Sequence, residues 1–222
     1  MIISPRISVF NTYMNIIWHG QSFFSISFQK DKNSNIEVAV EPFSQEGGLK
    51  VPKVKADIVI EKEGKNGTLN IEGKPFIISN DGEYEIGGVF IQKVSHSSGR
   101  SFSLMEAEGI KICHLGGNFD QKEPDSEFMD MVNKTDVLMI PVGGNGRLGP
   151  KEAARIISQI EPKIVIPMSF KIAGTKEKLE EVKEFLKVMG IDSKEEVLKL
   201  NIKEKDLLTR EGTEVVVLSP KS

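Results

Sequence analysis

Hydrophobic and polar positions alternate along most of the first half of the chain, in short β-branched and aromatic runs separated by turn residues. Runs of about 4–8 such residues, bounded by Gly, Asn or Asp, are typical of β-strands. Turn signals stand at Asn80-Asp81-Gly82 and at Gly87-Gly88. The pattern predicts strands over residues 15–18, 22–28, 36–40, 58–60, 68–71, 76–78, 83–86, 89–94, 101–106 and 110–114.

The period of the apolar positions changes in the second half. Apolar residues at helical spacing predict helices over 124–133, 149–160 and 175–189. Pro150 suits the start of the second helix and Pro162 its end, whereas Thr175 and Gly190 suit the two ends of the third. Apolar runs at 136–140, 164–166 and 215–218 predict further strands, and the first two are expected to be adjacent and buried.

Size and composition favour one domain without a membrane span. The 222 residues fit a single domain, and no apolar run approaches the ~18 residues that cross a bilayer. The net charge of −3 comes from charges spread along the chain, so nucleic acid is not an expected partner. Cys113 is the only cysteine, which excludes an internal disulfide and indicates a reducing compartment, the cytoplasm. Its apolar neighbours indicate a buried small residue rather than a reactive thiol.

Several short strings of the chain resemble one family, the metallo-β-lactamase-fold metal-dependent hydrolases of the small stand-alone, ascorbate-phosphate lactonase-like group. They are WHGQSFF (18–24), VEPF (40–43), DGEYE (81–85), HSS (96–98), ICHLGG (112–117), DVLMIPVGG (136–144) and IEPKIVIPMSF (160–170). The resemblance implies an α/β fold, an αββα sandwich of two mixed sheets with outer helices. It begins at Met14, so we expect one domain over 14–222. Residues 1–13 would be an extension or, alternatively, an extra edge strand.

The family holds two divalent metal ions, zinc or manganese, on a loop H-x-H-x-D-H and on three later residues. The later residues are a His in H-S-S, an Asp that ends H-L-G-D and a His in P-M-H-Y. On this chain the resemblance places the seven ligand positions at Glu63, Lys65, Gly67, Thr68, His96, Gly117 and Ser169. Six of the seven differ from the family residue, and only His96 matches it.

These differences predict a protein without a binuclear metal site, a cofactor or catalytic residues. An ammonium group at Lys65 would repel a cation at close range. Neighbouring positions also depart from the family, with Gln21 in place of a His and Glu41 in place of an Asp, while His19 and His114 stand at strand ends. We expect these four residues and the seven former ligand positions to line one polar pocket.

Three hypotheses for function remain open. The first is a catalytically degenerate homologue that binds an unidentified small molecule or protein partner. The second is a hydrolase of a small ester, lactone or phosphoester with a single metal held by Glu63, His96 and Asp120. The third is a structural subunit of a homo-oligomer. The segment Gly143–Pro150 resembles a phosphate-binding loop but lacks its specific motif, so a strand-to-helix turn is the competing interpretation.

Overall fold

A computed structural model describes residues 13–29, 34–43, 48–62, 70–96, 100–121 and 123–221. The proposed extension therefore lies outside the described residues except for Tyr13. The four loop positions Glu63, Lys65, Gly67 and Thr68 and the side chain of His96 also lie outside them.

The first of two large sheets is built mainly from the N-terminal half. Its strands run in the order β14-β1-β2-β3-β5-β7, with antiparallel pairing from β14 to β3 and parallel pairing from β3 to β7. The strands are β1 (Met14–Gly20), β2 (Phe23–Gln29), β3 (Asn35–Val40), β5 (Ile58–Ile60), β7 (Phe76–Ile78) and β14 (Leu200–Ile202). Two short strands, β4 (Val54–Lys55) and β6 (Ile71–Glu72), form a separate pair.

The second sheet runs in the order β15-β13-β12-β11-β10-β9-β8 and is also mixed, with its antiparallel strands from β8 to β11. Its strands are β8 (Gly82–Ile86), β9 (Val89–His96), β10 (Arg100–Ala107), β11 (Ile110–Leu115), β12 (Val137–Pro141), β13 (Ile164–Met168) and β15 (Glu214–Val215). The described helices are α1 (Ser126–Val132), α2 (Pro150–Ile160), α3 (Val182–Val188) and α4 (Glu204–Leu208).

One hydrophobic core joins the two sheets. Trp18 and Phe24 from the first sheet and Ile91 and Ile112 from the second are fully buried in the same cluster. On the opposite face of the first sheet, Phe23, Ala39 and Val59 form a smaller cluster with Val54 and Ile71 of the short strand pair. Successive residues of a strand face opposite sides, which accounts for the two clusters. The predicted sandwich of two mixed sheets is confirmed.

Most predicted elements are confirmed, and the two predicted core strands are neighbours. β12 and β13 pair in parallel with Leu138 opposite Val165, and every residue of both strands is buried. The second helix begins at Pro150 and ends at Ile160, where Glu161 takes a left-handed conformation. β14 and α4 were not predicted, because their short segments show no clear period. None of the described helices has the length and hydrophobicity that a bilayer span requires.

The predicted helix over 175–189 is wrong in its first half. Helix α3 begins at Val182, and the segment before it is irregular. The backbone of Glu180 is held on both sides, since its N–H donates to the Gly143 carbonyl at 2.9 Å and its carbonyl accepts from Lys171 N at 2.8 Å. These tertiary bonds replace the helical ones that the apolar spacing favoured.

Candidate functional site

Four of the positions predicted to line the site follow strands of the two sheets. Gln21 lies in the turn between β1 and β2, Glu41 follows β3, Gly117 comes two residues after β11, and Ser169 follows β13. Gln21, Glu41 and Ser169 have positive φ angles of 49°, 47° and 52°. This conformation costs a non-glycine residue about 1–3 kcal/mol and is often found at functional sites. The chain thus passes through a left-handed residue directly after β3 and β13 and in the turn after β1.

Glu41, Gly117 and Ser22 fill one corner of this region. The Glu41 side chain is 6% exposed, and its Oε2 accepts a hydrogen bond from the Gly117 N–H at 3.0 Å. A Cβ atom added to Gly117 would lie 2.5 Å from Ser22 Oγ and 2.8 Å from Ser22 Cβ. The packing therefore leaves no room for a side chain at Gly117 unless Ser22 moves.

His114 lies beside this corner and is buried. Its Nε2 is 2.9 Å from the Ser22 carbonyl oxygen, so this nitrogen carries the proton in the neutral ring. Burial lowers the pKa of His114, while the nearby Glu41 carboxylate and the bond to Ser22 raise it less. The ring thus supports the β1–β2 turn with one nitrogen committed to a backbone carbonyl.

A second polar group connects Gln21 to the loop before α3. The Gln21 amide donates to Thr175 Oγ1 at 3.0 Å and accepts from Arg147 Nη1 at 3.4 Å. Arg147 also forms an ion pair with Glu177. The backbone carbonyl of Gln21 accepts from Ser169 N at 3.1 Å. These contacts hold the 171–181 segment against the predicted site.

Two buried polar atoms in this group have no hydrogen-bond partner among the residues that the structure describes. They are the Oγ of Ser169, a residue with no exposed surface, and the Nε of Arg147. An unpaired buried polar atom costs about 1–3 kcal/mol, so native structures usually satisfy it with protein, water or a ligand. The sequence alone had not indicated Arg147 or Thr175, because their importance depends on contacts between distant segments.

Lys93 is a further polar residue that sequence reasoning missed. It lies on β9 and is 3% exposed, and its Nζ donates to the Ser79 carbonyl oxygen at 2.6 Å. Ser79 Oγ in turn donates to Glu61 Oε2 at 2.6 Å. A signal was present in the sequence, since Lys93 shares the face of β9 that carries the core residue Ile91.

Not every predicted pocket residue joins this region. His19 lies on the opposite face of the first sheet, where its ring packs on Phe23 and its nitrogens contact Lys221 O at 3.0 Å and Ser25 Oγ at 2.8 Å. Burial lowers the pKa of His19, against a smaller raising effect of the bond to Lys221. His19 borders a separate open cavity of about 1010 Å³ on that face.

The Gly143–Pro150 segment has the geometry of a strand-to-helix turn. Gly144 N donates to the Leu148 carbonyl at 2.9 Å, and α2 begins directly afterwards at Pro150. Carboxylates already surround the start of the helix, since a Cβ at Gly149 would lie 2.9 Å from Glu152 Oε2 and 3.8 Å from Glu180 Oε1. These negative groups oppose phosphate binding at this turn.

The described residues do not fit the two metal ions of the resembled family. Within the ranges that the structure describes, no group of three or more His, Cys, Asp and Glu side chains could hold a metal ion. Gly117 offers no ligand atom from a side chain, and Ser22 occupies the space where one would begin. Asp120, proposed for a single-metal site, is exposed, and its proposed partner Glu63 lies outside the described residues.

Comparison with known proteins agrees with the family that the sandwich fold indicates. The Beta-lactamase superfamily domain profile matches residues 15–169, more than half of the chain. The chain belongs to the β-lactamase superfamily. A UPF0173 metal-dependent hydrolase of Thermococcus onnurineus is 32% identical to this superfamily member over 114 residues, 45% of this chain and 50% of the relative. A UPF0173 metal-dependent hydrolase of Pyrococcus abyssi is 31% identical over 134 residues, 56% of its length. The chain thus spans about half the length of these curated relatives.

Solved structures of the superfamily match over almost the whole chain. A proposed Zn-dependent hydrolase of the metallo-β-lactamase superfamily from Thermotoga maritima has a TM-score of 0.76 and 31% identity, covering 92% of this superfamily member and 98% of the other chain. Igni18, a metallo-hydrolase of Ignicoccus hospitalis, has a TM-score of 0.61 at 16% identity and covers 95% of this chain. The second likeness supports the fold alone.

Proposed function

We propose that this member of the superfamily lacks a binuclear metal site and acts as a binding protein that holds a small ligand between the two sheets. The observation that carries the proposal is the corner formed by Glu41, Gly117 and Ser22. The Glu41 carboxylate accepts a hydrogen bond from the Gly117 N–H, and Ser22 fills the space that a side chain at Gly117 would need. Protein atoms therefore already occupy this corner. A side chain that could bind metal at position 117 would first need Ser22 to move.

The polar residues around the corner support binding rather than packing. Gln21, Glu41 and Ser169 have strained backbone angles, and Ser169 Oγ is buried without a partner in the described part of the chain. A site that served packing alone would gain stability from relaxed backbone angles and from apolar side chains. Two relatives are named metal-dependent hydrolases. Our proposal is that this chain has lost that chemistry.

Metal analysis tests the proposal directly. We expect protein purified without chelator to contain much less than one zinc or manganese ion per chain, and its melting temperature to be unchanged by micromolar zinc. A ligand that binds only the folded state raises the melting temperature by mass action, so the second measurement is independent of the first. His96→Ala is the matched variant, because His96 is the one position that agrees with the family ligands.

Two outcomes would contradict the proposal. One is stoichiometric metal that survives dialysis. The other is a zinc-dependent rise in melting temperature that the His96→Ala variant loses, which would favour the single-metal hydrolase instead.

A further inference from the structure

Lys93 carries a buried amino group with few partners among the described residues. It is 3% exposed, and the Ser79 carbonyl oxygen is its one hydrogen-bond acceptor among the described residues. None of the ion pairs between described residues includes Lys93. A lysine ammonium has three donors, and a buried charge is costly unless it is paired. The contacts within the described chain therefore leave Lys93 without a counter-charge.

Unused hydroxyl donors lie next to Lys93. Ser103 is directly opposite Lys93 in the β9–β10 register, and Ser101 is two residues further along the same face of β10. Ser103 is 5% exposed and Ser101 is 9% exposed. No described residue hydrogen-bonds with the hydroxyl of either serine. One lysine and two serines on adjacent strands thus present donors to the space between the sheets.

The acidic groups nearby limit where a ligand could sit. Glu41 Oε1 lies close to Ser101, since both Glu41 Oε1 and Ser101 Oγ would be 2.8 Å from a Cβ on Gly116. Glu61 is occupied by the Ser79 hydroxyl at 2.6 Å. An anion is therefore best placed between Lys93 and Ser103, whereas Glu41 favours a hydroxyl or amino group on the other side of Ser101.

We propose that Lys93 and Ser103 bind the oxyanion group, a carboxylate or a phosphate, of a small ligand. The proposal extends the proposed function, because it names the chemical class of the ligand held between the sheets. An oxyanion would supply the missing counter-charge of Lys93 and accept the hydroxyl of Ser103. Oxyanion and lysine would then form a charge-assisted hydrogen bond in a site that is largely closed to water.

The competing interpretation is structural. Lys93 belongs to the second sheet and Ser79 directly follows β7 of the first, so their bond also ties the two sheets together. If Lys93 is purely structural, Lys93→Met should lower the stability of the protein. It should leave the change in melting temperature caused by anions as it is in the parent. The response to anions therefore distinguishes the two interpretations.

The test compares melting temperatures in inorganic phosphate, acetate and chloride at equal ionic strength, with EDTA present throughout. The variants are Lys93→Met and, as the matched control, Lys74→Met, which changes an exposed lysine. We expect phosphate or acetate, at about ten times its dissociation constant, to raise the melting temperature of the parent and of Lys74→Met by about 3–6 °C. The Lys93→Met variant should show no rise above that in chloride. Phosphate and acetate are tested separately, and the anion that raises the melting temperature more shows whether the site prefers a phosphate or a carboxylate.

Ser103→Ala is the second variant, for the case in which Lys93→Met does not fold. It keeps Lys93 and removes one donor, so the affinity for the effective anion should fall about 3- to 10-fold. Equal anion responses in the parent and in the Lys93→Met variant, unchanged affinity in Ser103→Ala, or no response of the parent beyond that in chloride would each overturn the proposal. Because EDTA removes metal, these results are independent of the metal analysis that tests the proposed function.

Discussion

At the scale of single residues, burial disfavours the charged form of two histidines. His114 is 1% exposed beside Glu41, and His19 is 8% exposed on the opposite face of the first sheet. Desolvation lowers the pKa of both below the ordinary value of 6.5. In the unfolded chain both rings take up protons near pH 6.5, whereas in the folded chain they do so only at lower pH. The unfolded state therefore binds more protons in this window.

We predict that the free energy of unfolding falls as the pH decreases from about 7 to about 5.5. The free energy of unfolding has its full value above pH 6.5, the pKa of these histidines in the unfolded chain. It decreases as the pH falls below 6.5 towards the lower pKa values of the folded chain. Each histidine contributes a slope of at most about 1.4 kcal/mol per pH unit. Denaturant titrations at several pH values measure this slope.

The His114→Gln and His19→Gln variants are the matched pair for this prediction. Each should show a shallower slope than the parent, because one titrating ring is gone. Asp136, whose pKa burial raises, titrates in the opposite sense at lower pH, so the measurement stops at about pH 5.5. A stability that stays constant or rises from pH 7 to 5.5 would contradict the assignment of both rings as buried and neutral.

The sequence predicted which residues lie at the candidate site better than it predicted which residues they contact. Gln21, Glu41, Gly117 and Ser169 were all named from family strings, and the structure brings them to the ends of the strands that precede them. The partners of these residues could not be named, because contacts such as Gln21 with Thr175 join segments 154 residues apart. The placement of His19 was missed for a simpler reason: the turn after Trp18 carries a register shift, and strand alternation sends His19 to the opposite face.

At the scale of elements, the predicted strand pair β12 and β13 lies in the second sheet between the short edge strand β15 and β11. Val165 has no exposed surface and lies opposite Leu138 on one side and Val215 on the other. Parallel strands that are buried on both faces have almost entirely apolar sequences, which is why the sequence predicted this pair without the structure. The same reasoning failed for residues 175–181, where apolar spacing suited a helix but tertiary bonds of Glu180 decided the conformation.

We predict that Val165→Asp prevents the protein from folding in soluble form. A buried carboxylate without a partner costs several kcal/mol, which is comparable with the whole stability of a domain, about 5–15 kcal/mol. The matched control is Lys151→Asp, at an exposed position in the first turn of α2, where an acidic residue is favourable. The soluble fraction and the elution volume on size exclusion are the measurements. A monodisperse Val165→Asp protein would contradict the assignment of β13 to the core.

At the scale of the whole molecule, our proposal separates a scaffold that follows the superfamily from a site that does not. The fold agrees with a relative over 92% of the chain at a TM-score of 0.76. In the described part of the site, the Glu41 carboxylate accepts from the Gly117 N–H and the Gln21 amide oxygen accepts from Arg147. Strand ends in a sandwich are positioned by the core, whereas the residues on them can change without altering the fold. This separation predicts that metal binding can be restored by changes at the site.

Restoration requires the family residues at six positions and one further change that the packing demands. An Asp at Gly117 would place its Cβ 2.5 Å from Ser22 Oγ and 2.8 Å from Ser22 Cβ, so Ser22→Gly must accompany it. The six changes are Glu63→His, Lys65→His, Gly67→Asp, Thr68→His, Gly117→Asp and Ser169→His. We predict that the seven-change protein binds zinc or manganese, that the six-change protein with Ser22 retained binds less, and that the parent binds least.

Metal stoichiometry of the three proteins, measured beside their melting temperatures, decides this prediction. Turnover is not expected to follow, because catalytic groups must be held within about 0.5 Å and Gln21 and Glu41 would still differ from the family. The melting temperatures are needed because a variant that does not fold would bind no metal for a trivial reason. A seven-change protein that melts cooperatively and still takes up no metal would mean that the loop after β5 does not follow the family path. The assignment of ligand positions to residues 63–68, and with it the sequence argument for a lost metal site, would then be wrong.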